Sequence, residues 1–149
     1  MSAGEYCNRE VVVISKTEPV SEAVSLMRKH HVGDVVVIEQ TKQGAIPVGI
    51  LTDRDIVLEI LAEDVDLGSV SIGDVMSYEL ITVTENATLI DTVKLMRQHG
   101  IRRIPVVNDS GILEGLLSVD DLLELLAEQL NDIVALISKE QSSESRRRK

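Results

Sequence analysis

Apolar and polar positions along this chain keep two rhythms in turn. Val11-Val12-Val13-Ile14 is a β-branched run, the composition of a strand. Val20, Ala23, Val24, Leu26 and Met27 then recur at the helical period, which places them on one inward face. Thr17-Glu18-Pro19 stands between the two, so the pattern predicts a strand over 11–14 and a helix from about 17 to 31. The apolar run 32–38 reads as a buried strand, the polar stretch 39–44 as a loop, 48–51 as a third strand and 53–62 as a second helix. Residues 63–71, acidic and with Gly68 near their end, read as a linker.

The order then returns. Residues 81–83 read as a strand, and Thr88-Leu89-Ile90-Asp91 as a helix start better capped than the one at Pro19. Leu89, Thr92, Val93, Leu95 and Met96 carry the inward face, and 104–107 is the next strand. Asn108-Asp109-Ser110-Gly111 supplies turn chemistry before the third strand. Leu26-Met27-Arg28 matches Leu95-Met96-Arg97 at an offset of 69, and residues 7–37 track 76–106 in that register. From Gly49 to Gly115 the offset is 66, so the first hairpin loop is three residues longer.

Two β-α-β-β-α units, each too small to bury its sheet alone, are expected to pack sheet to sheet about a pseudo-two-fold axis in an α+β fold. The expected division is 1–62 and 72–129 for the units, 63–71 for the linker, 130–140 for an extension of the last helix and 141–149 for a disordered tail. The extension keeps an apolar stripe, Leu126, Leu130, Ile133 and Ile137, beyond what the fold needs. A stripe of that kind calls for a partner, and a homodimer or larger assembly is expected.

Within the repeat one stretch carries chemistry. Gly49-Ile50-Leu51-Thr52-Asp53-Arg54-Asp55 comes back as Gly115-Leu116-Leu117-Ser118-Val119-Asp120-Asp121. Each copy puts a hydroxyl and a carboxylate at a strand-to-helix corner. One reading is a capping box, in which each residue satisfies the other's backbone donor. The other is a ligand site, since a carboxylate just inside a helix suits a ribose diol. The pairing of the two corners favours the second.

Composition narrows the partners. The chain has no Phe and no Trp, and Tyr6 and Tyr78 are its aromatic residues. That argues against binding single-stranded nucleic acid, which uses aromatic platforms. Net charge is −10, and −14 once the four cations of Arg146-Arg147-Arg148-Lys149 are set aside. A body that acidic repels phosphate backbones and anionic membranes. One cysteine, Cys7, forms no internal disulfide and fits a reducing compartment. With no signal pattern at the N-terminus and no apolar run of membrane-spanning length, a soluble cytoplasmic protein is expected. His30 and His99 end matching helices, where a cationic side chain favours the negative helix end more readily than it binds a metal.

The two corners, with Ala23-Val24-Ser25-Leu26-Met27 and His99-Gly100-Ile101-Arg102-Arg103-Ile104-Pro105-Val106, resemble a tandem pair of cystathionine-β-synthase (CBS) domains, the Bateman module. The resemblance covers about residues 7–129. It implies two clefts for adenosine-containing ligands such as AMP, ADP, ATP or S-adenosylmethionine, each taking its hydroxyl and aspartate from one unit and its adenine walls from the other. Carried over by position, one cleft combines Ile50, Thr52 and Asp55 with Met76, Ile81, Ile101, Arg102 and Arg103. Arg54 stands where it can reach the same phosphate or face water. The other combines Leu116, Ser118 and Asp121 with Cys7, Val12, Val32, Gly33 and Asp34.

Gly33-Asp34 thus occupies in one cleft the place that Arg102-Arg103 occupies in the other, and a phosphate is expected to prefer the arginines. The chain shows no acid and base paired at a nucleophile and no metal-ligand spacing, so a binding module is expected rather than an enzyme. No obligatory cofactor is expected, and the module is expected to signal to a regulated protein that the sequence does not name. The alternative is a ligand-free dimeric interaction scaffold whose corners are caps and nothing more.

Overall fold

The β-branched run closes as strand β1, Val13–Ser15, and the helical period that follows as α2, Val20–His30. The computed structural model describes residues 1–76 and 79–147, so Tyr78, Arg148 and Lys149 lie outside the described residues. Before β1 stands a short helical turn, α1, Ala3–Tyr6. After α2 come β2, Asp34–Thr41, and β3, Gly44–Thr52. The polar stretch expected as a loop shrinks to a tight turn. Helix α3, Asp53–Ile56, passes into a π-helical turn, Val57–Leu61, in which the Ala62 N–H reaches back to the Val57 carbonyl.

The second repeat runs α4, Ile72–Val75; β4, Val83–Thr84; α5, Leu89–His99; β5, Arg103–Val107; β6, Leu113–Ser118; and α6, Val119–Arg147. Each repeat makes a three-stranded sheet, ordered β1-β2-β3 and β4-β5-β6. β2 pairs parallel with β1 and antiparallel with β3, and β5 pairs parallel with β4. The β2–β3 register slips between Val37, opposite Gly49, and Ile38, opposite Pro47. Proline has no N–H to give a ladder, and the edge strand of an irregular pair is where it is tolerated.

The repeats are tied by reciprocal links. Ala3 and Gly4 donate to the carbonyls of Ala87 and Glu85 at 2.8 and 2.9 Å, while Ile72 and Gly73 donate to those of Glu18 and Lys16 at 2.9 Å each. The second pair of bonds is the first with donors and acceptors each carried across the repeat by 69 residues. Each short helical turn therefore docks on the other repeat's strand-to-helix connection, which gives the pseudo-two-fold relation. Gly4 is required there, because a Cβ would come within 2.8 Å of the Glu85 side chain and 2.9 Å of its carbonyl.

The core around β2 holds Val35, Val37, Leu51, Ile56 and Ile60, with Val20, Ala23 and Met27 from the inward face of α2. Ile72 and Met76, from the start of the second repeat, complete it. The stretch expected as a plain linker also contributes. Leu67 and Val70 pack against this core, and their carbonyls accept from Ser21 and Val20.

The chain divides into two compact units, Met1–Leu117 and the segment from Ser118 onward. The first contains both repeats up to the last residue before the second corner's hydroxyl. The second is essentially α6, a helix that continues to Arg147 through residues expected to be disordered. Residues 119–147 contain no Gly and no Pro, so nothing in the chain breaks the helix. Asp120 and Asp121 in the first turn with Arg146 and Arg147 in the last suit its dipole. No helix among the described residues is long and apolar enough to cross a membrane.

Candidate functional site

Strand β3 delivers the first corner. The pleat sends Leu51 fully into the core and leaves Ile50 and Thr52 half-buried on the opposite face. Thr52 then caps α3. Its Oγ1 accepts from the Asp55 N–H at 3.1 Å, and Asp55 Oδ2 accepts from the Thr52 N–H at 3.0 Å. The capping box is therefore formed. It uses the acceptor side of the hydroxyl and one carboxylate oxygen, so the pair retains an O–H to donate and a second carboxylate oxygen to accept. Capping and ligand binding are compatible at this corner.

Beside the box lies a cavity of about 300 Å³. From the first repeat it is lined by Ile50, Thr52, Asp53, Arg54 and Asp55. From the second repeat come Glu79, Leu80, Ile81, Ile101, Arg102 and Arg103. Eight of the nine residues assigned from the sequence to this cleft line it. The ninth, Met76, is buried in the core instead. Asp53, Glu79 and Leu80 were not anticipated. Leu80 and Glu79 adjoin Ile81, and Asp53 follows the cap, so each was within reach of a reading that took whole segments.

The walls are apolar where Leu80, Ile81 and Ile101 stand and ionic elsewhere, with three carboxylates, Asp53, Asp55 and Glu79, against Arg54, Arg102 and Arg103. Arg54 and Arg102 are exposed. Arg103 is not. Its buried Nε faces the Asp34 carboxylate as an ion pair. Asp34 retains 16% side-chain exposure, and burial pushes its carboxyl above the usual range. Arg103 opposes that shift, and nearby Asp53 adds to it.

The strand pairing adds a contact that the expected division of charge between two clefts did not include. The antiparallel β2–β3 register sets Asp34 opposite Thr52, and the Gly33 carbonyl accepts from the Asp53 N–H at 2.9 Å. Gly33 and Asp34 therefore flank the first corner. Asp34 and Arg103, equivalent positions of the two repeats, face each other as an ion pair. A side chain at Gly33 would bring its Cβ to 3.1 Å from an Asp53 carboxylate oxygen.

The residues assigned to the other cleft fall in both compact units. In the first, Leu116 and Asn8 exchange both backbone bonds at 2.9 Å, which seats Cys7 against Gly115. A Cβ on Gly115 would lie 2.5 Å from the Cys7 Sγ. Burial pushes the Cys7 thiol up, with Arg9 opposing. Val12 and Val32 are half-buried, and Val12 lines a separate cavity of about 370 Å³ with Leu26 and His30. In the second unit, Ser118 Oγ accepts from the Asp121 N–H at 3.2 Å and Asp121 Oδ2 from the Ser118 N–H at 3.1 Å. The box of the first corner is repeated.

The CBS domain family model matches residues 3–62 and 72–128. An uncharacterised protein of Methanopyrus kandleri is 37% identical over 84% of this chain, which spans 62% of that protein's length. The CBS domain-containing protein YhcV of Bacillus subtilis is 39% identical over 81% of this chain and 82% of its own. Among solved structures, a CBS domain pair in complex with 5-methylthioadenosine and S-adenosyl-L-methionine superposes with a TM-score of 0.75 at 21% identity, over 87% of this chain and 98% of that one. At that identity the likeness is one of fold.

Proposed function

We propose that this chain, which belongs to the CBS-domain family and carries the domain twice, binds an adenosine-containing ligand at the first corner and signals occupancy to a protein partner. The observation that carries the reading is the cavity whose lining joins Thr52 and Asp55 of one repeat to apolar walls and Arg102 of the other. A ribose diol suits the hydroxyl and the free carboxylate oxygen. An adenine suits the space between Leu80, Ile81 and Ile101, and a phosphate suits the exposed Arg102 and Arg54. A ligand spanning both repeats binds one arrangement of them best, and that differential affinity is what a partner can read. AMP, ADP, ATP and S-adenosylmethionine all present the required nucleoside. The CBS pair crystallised with adenosyl compounds supports the class at the level of fold. Binding rather than catalysis is the proposed role, and the working form is a homodimer.

Denaturing the purified protein and identifying any released nucleotide is the first test. Calorimetric titration with AMP, ATP, S-adenosylmethionine and adenosine is the second. The closed capping boxes favour a second reading, a ligand-free scaffold. Thermal melts separate the two, because a ligand that binds only the folded state raises the melting temperature. A flat response to every adenosine compound would leave the scaffold standing.

A further inference from the structure

The cleft at the first corner holds its three cations on unequal terms. Among the described residues, its lining sets Arg54, Arg102 and Arg103 against the carboxylates of Asp53, Asp55 and Glu79. Arg54 and Arg102 are exposed, so water and salt weaken what each offers an anion. Arg103 keeps 29% of its side chain exposed, and its Nε is buried. A guanidinium that has shed that much water is the strongest phosphate donor of the three. It is also the one already engaged, by the Asp34 carboxylate.

Asp34 stands outside the lining that Arg103 shares. It opens β2, where the ladder fixes its backbone opposite Thr52, and 16% of its side chain is exposed. A phosphate that drew Arg103 to itself would strand this carboxylate with Asp53 as its neighbouring charge. A largely buried ion left without its partner is costly, and that cost falls on any ligand that needs Arg103. With Arg103 held by Asp34, a phosphate meets Arg54 and Arg102 in a cleft that also presents three carboxylates. One AMP phosphate carries about two negative charges at neutral pH, which the two arginines answer. Each further phosphate adds charge that nothing on the lining is left to meet.

We propose that Asp34 is the specificity-determining residue of this cleft: by holding Arg103 it fits the cavity to an adenosine ligand with one phosphate or none, and against ADP and ATP. The proposal rests on the adenosine reading above and narrows the class of ligand. Asp34 does this without touching the ligand, through the cation it withholds.

Calorimetric titration of the full chain with adenosine, AMP and ATP tests it. Wild type is expected to bind AMP tighter than ATP by on the order of tenfold. Asp34→Asn, which frees Arg103, should improve ATP relative to AMP by a similar factor and leave adenosine unchanged. Asp34→Glu should keep the wild-type preference. The double variant Asp34→Asn/Arg103→Gln should lose the gain in ATP affinity, because the cation that supplies it is gone. A wild type that binds ATP as tightly as AMP overturns the proposal whether or not any variant folds. So does an Asp34→Asn protein with an unchanged ratio of ATP to AMP affinity, and in both cases the adenosine reading stands. A wild type that binds none of the three compounds overturns that reading and this proposal together.

Discussion

The two corners share a sequence pattern and a capping box, and then diverge in what their helices do. After the first corner the chain turns through α3 and a π-helical turn, and Ile56 and Ile60 are 5% and 1% exposed. After the second, α6 runs on unbroken and Leu126, which stands 66 residues beyond Ile60, is 64% exposed. The same local signal therefore starts a four-residue helix that enters the core and a helix of 29 residues. Capping chemistry sets where a helix begins; the length of the apolar stripe decides what it is for.

Truncation at the two equivalent positions sharpens that contrast most. Ile60→Ala empties a filled site in the core and is expected to cost about 2–5 kcal/mol. Leu126→Ala removes an exposed side chain, and the stability of the isolated chain should stay within about 0.5 kcal/mol. Denaturant unfolding followed by circular dichroism, at a concentration low enough to dissociate assemblies, measures both. Equal losses would mean that Leu126 packs as Ile60 does.

The next largest effect separates ligand binding from capping. On the proposed function Asp55→Ala removes a charged hydrogen bond to ribose, worth roughly 1.5–3 kcal/mol, or about tenfold to a hundredfold in affinity. The lost cap accounts for only about 1 kcal/mol of stability. Asp121→Ala should cost the same cap. If Asp55→Ala lowers the melting temperature yet titrates with AMP like wild type, the first corner is a cap and nothing more.

Much of this organisation was legible because the repeat is exact in register where it matters. The offset of 69 fixed the equivalence of α2 with α5, that of 66 placed both corners, and position alone assigned most of the lining of the cavity. What the pattern could not carry was contact between equivalent residues. Gly33-Asp34 and Arg102-Arg103 were assigned to different clefts, yet the antiparallel register sets Asp34 beside Thr52, and the ion pair with Arg103 follows. The short turns α1 and α4 were also missed, since four residues hold no period. Their traces were Ser2 with Glu5 and Ser71 with Asp74 at cap spacing.

A smaller contrast lies at the ends of α2 and α5. Gly100 closes α5 at φ 63°, and His31, its equivalent, closes α2 at φ 55°. A left-handed backbone costs a residue with a Cβ about 1–2 kcal/mol, while glycine gives part of that back as chain entropy in the unfolded state. His31→Gly is therefore expected to stabilise the protein by roughly 1 kcal/mol, and Gly100→His to destabilise it by a similar amount. A melting temperature that falls in both variants would mean that the His31 side chain supports its helix end by contacts of its own.

The subtlest contrast is between Asp34 and its equivalent Arg103, and pH resolves it. Burial and Asp53 raise the Asp34 carboxyl above its ordinary 3.8, with Arg103 pulling the other way. A carboxyl whose value is raised on folding binds its proton more tightly in the folded chain, so stability falls as pH rises from about 3.8 through the folded value and is level beyond it. The Asp34→Asn variant has no proton to lose at this position. Chemical denaturation of both proteins between about pH 3.5 and 7 should therefore give a difference curve in which wild type loses ground to the variant as pH rises. The offset between them at neutral pH is a separate quantity, because Asp34→Asn also leaves Arg103 without its ion pair. A difference curve of the opposite slope would show that Arg103 outweighs burial at this carboxylate, and that the pair is held by attraction rather than tolerated at the seam between the repeats.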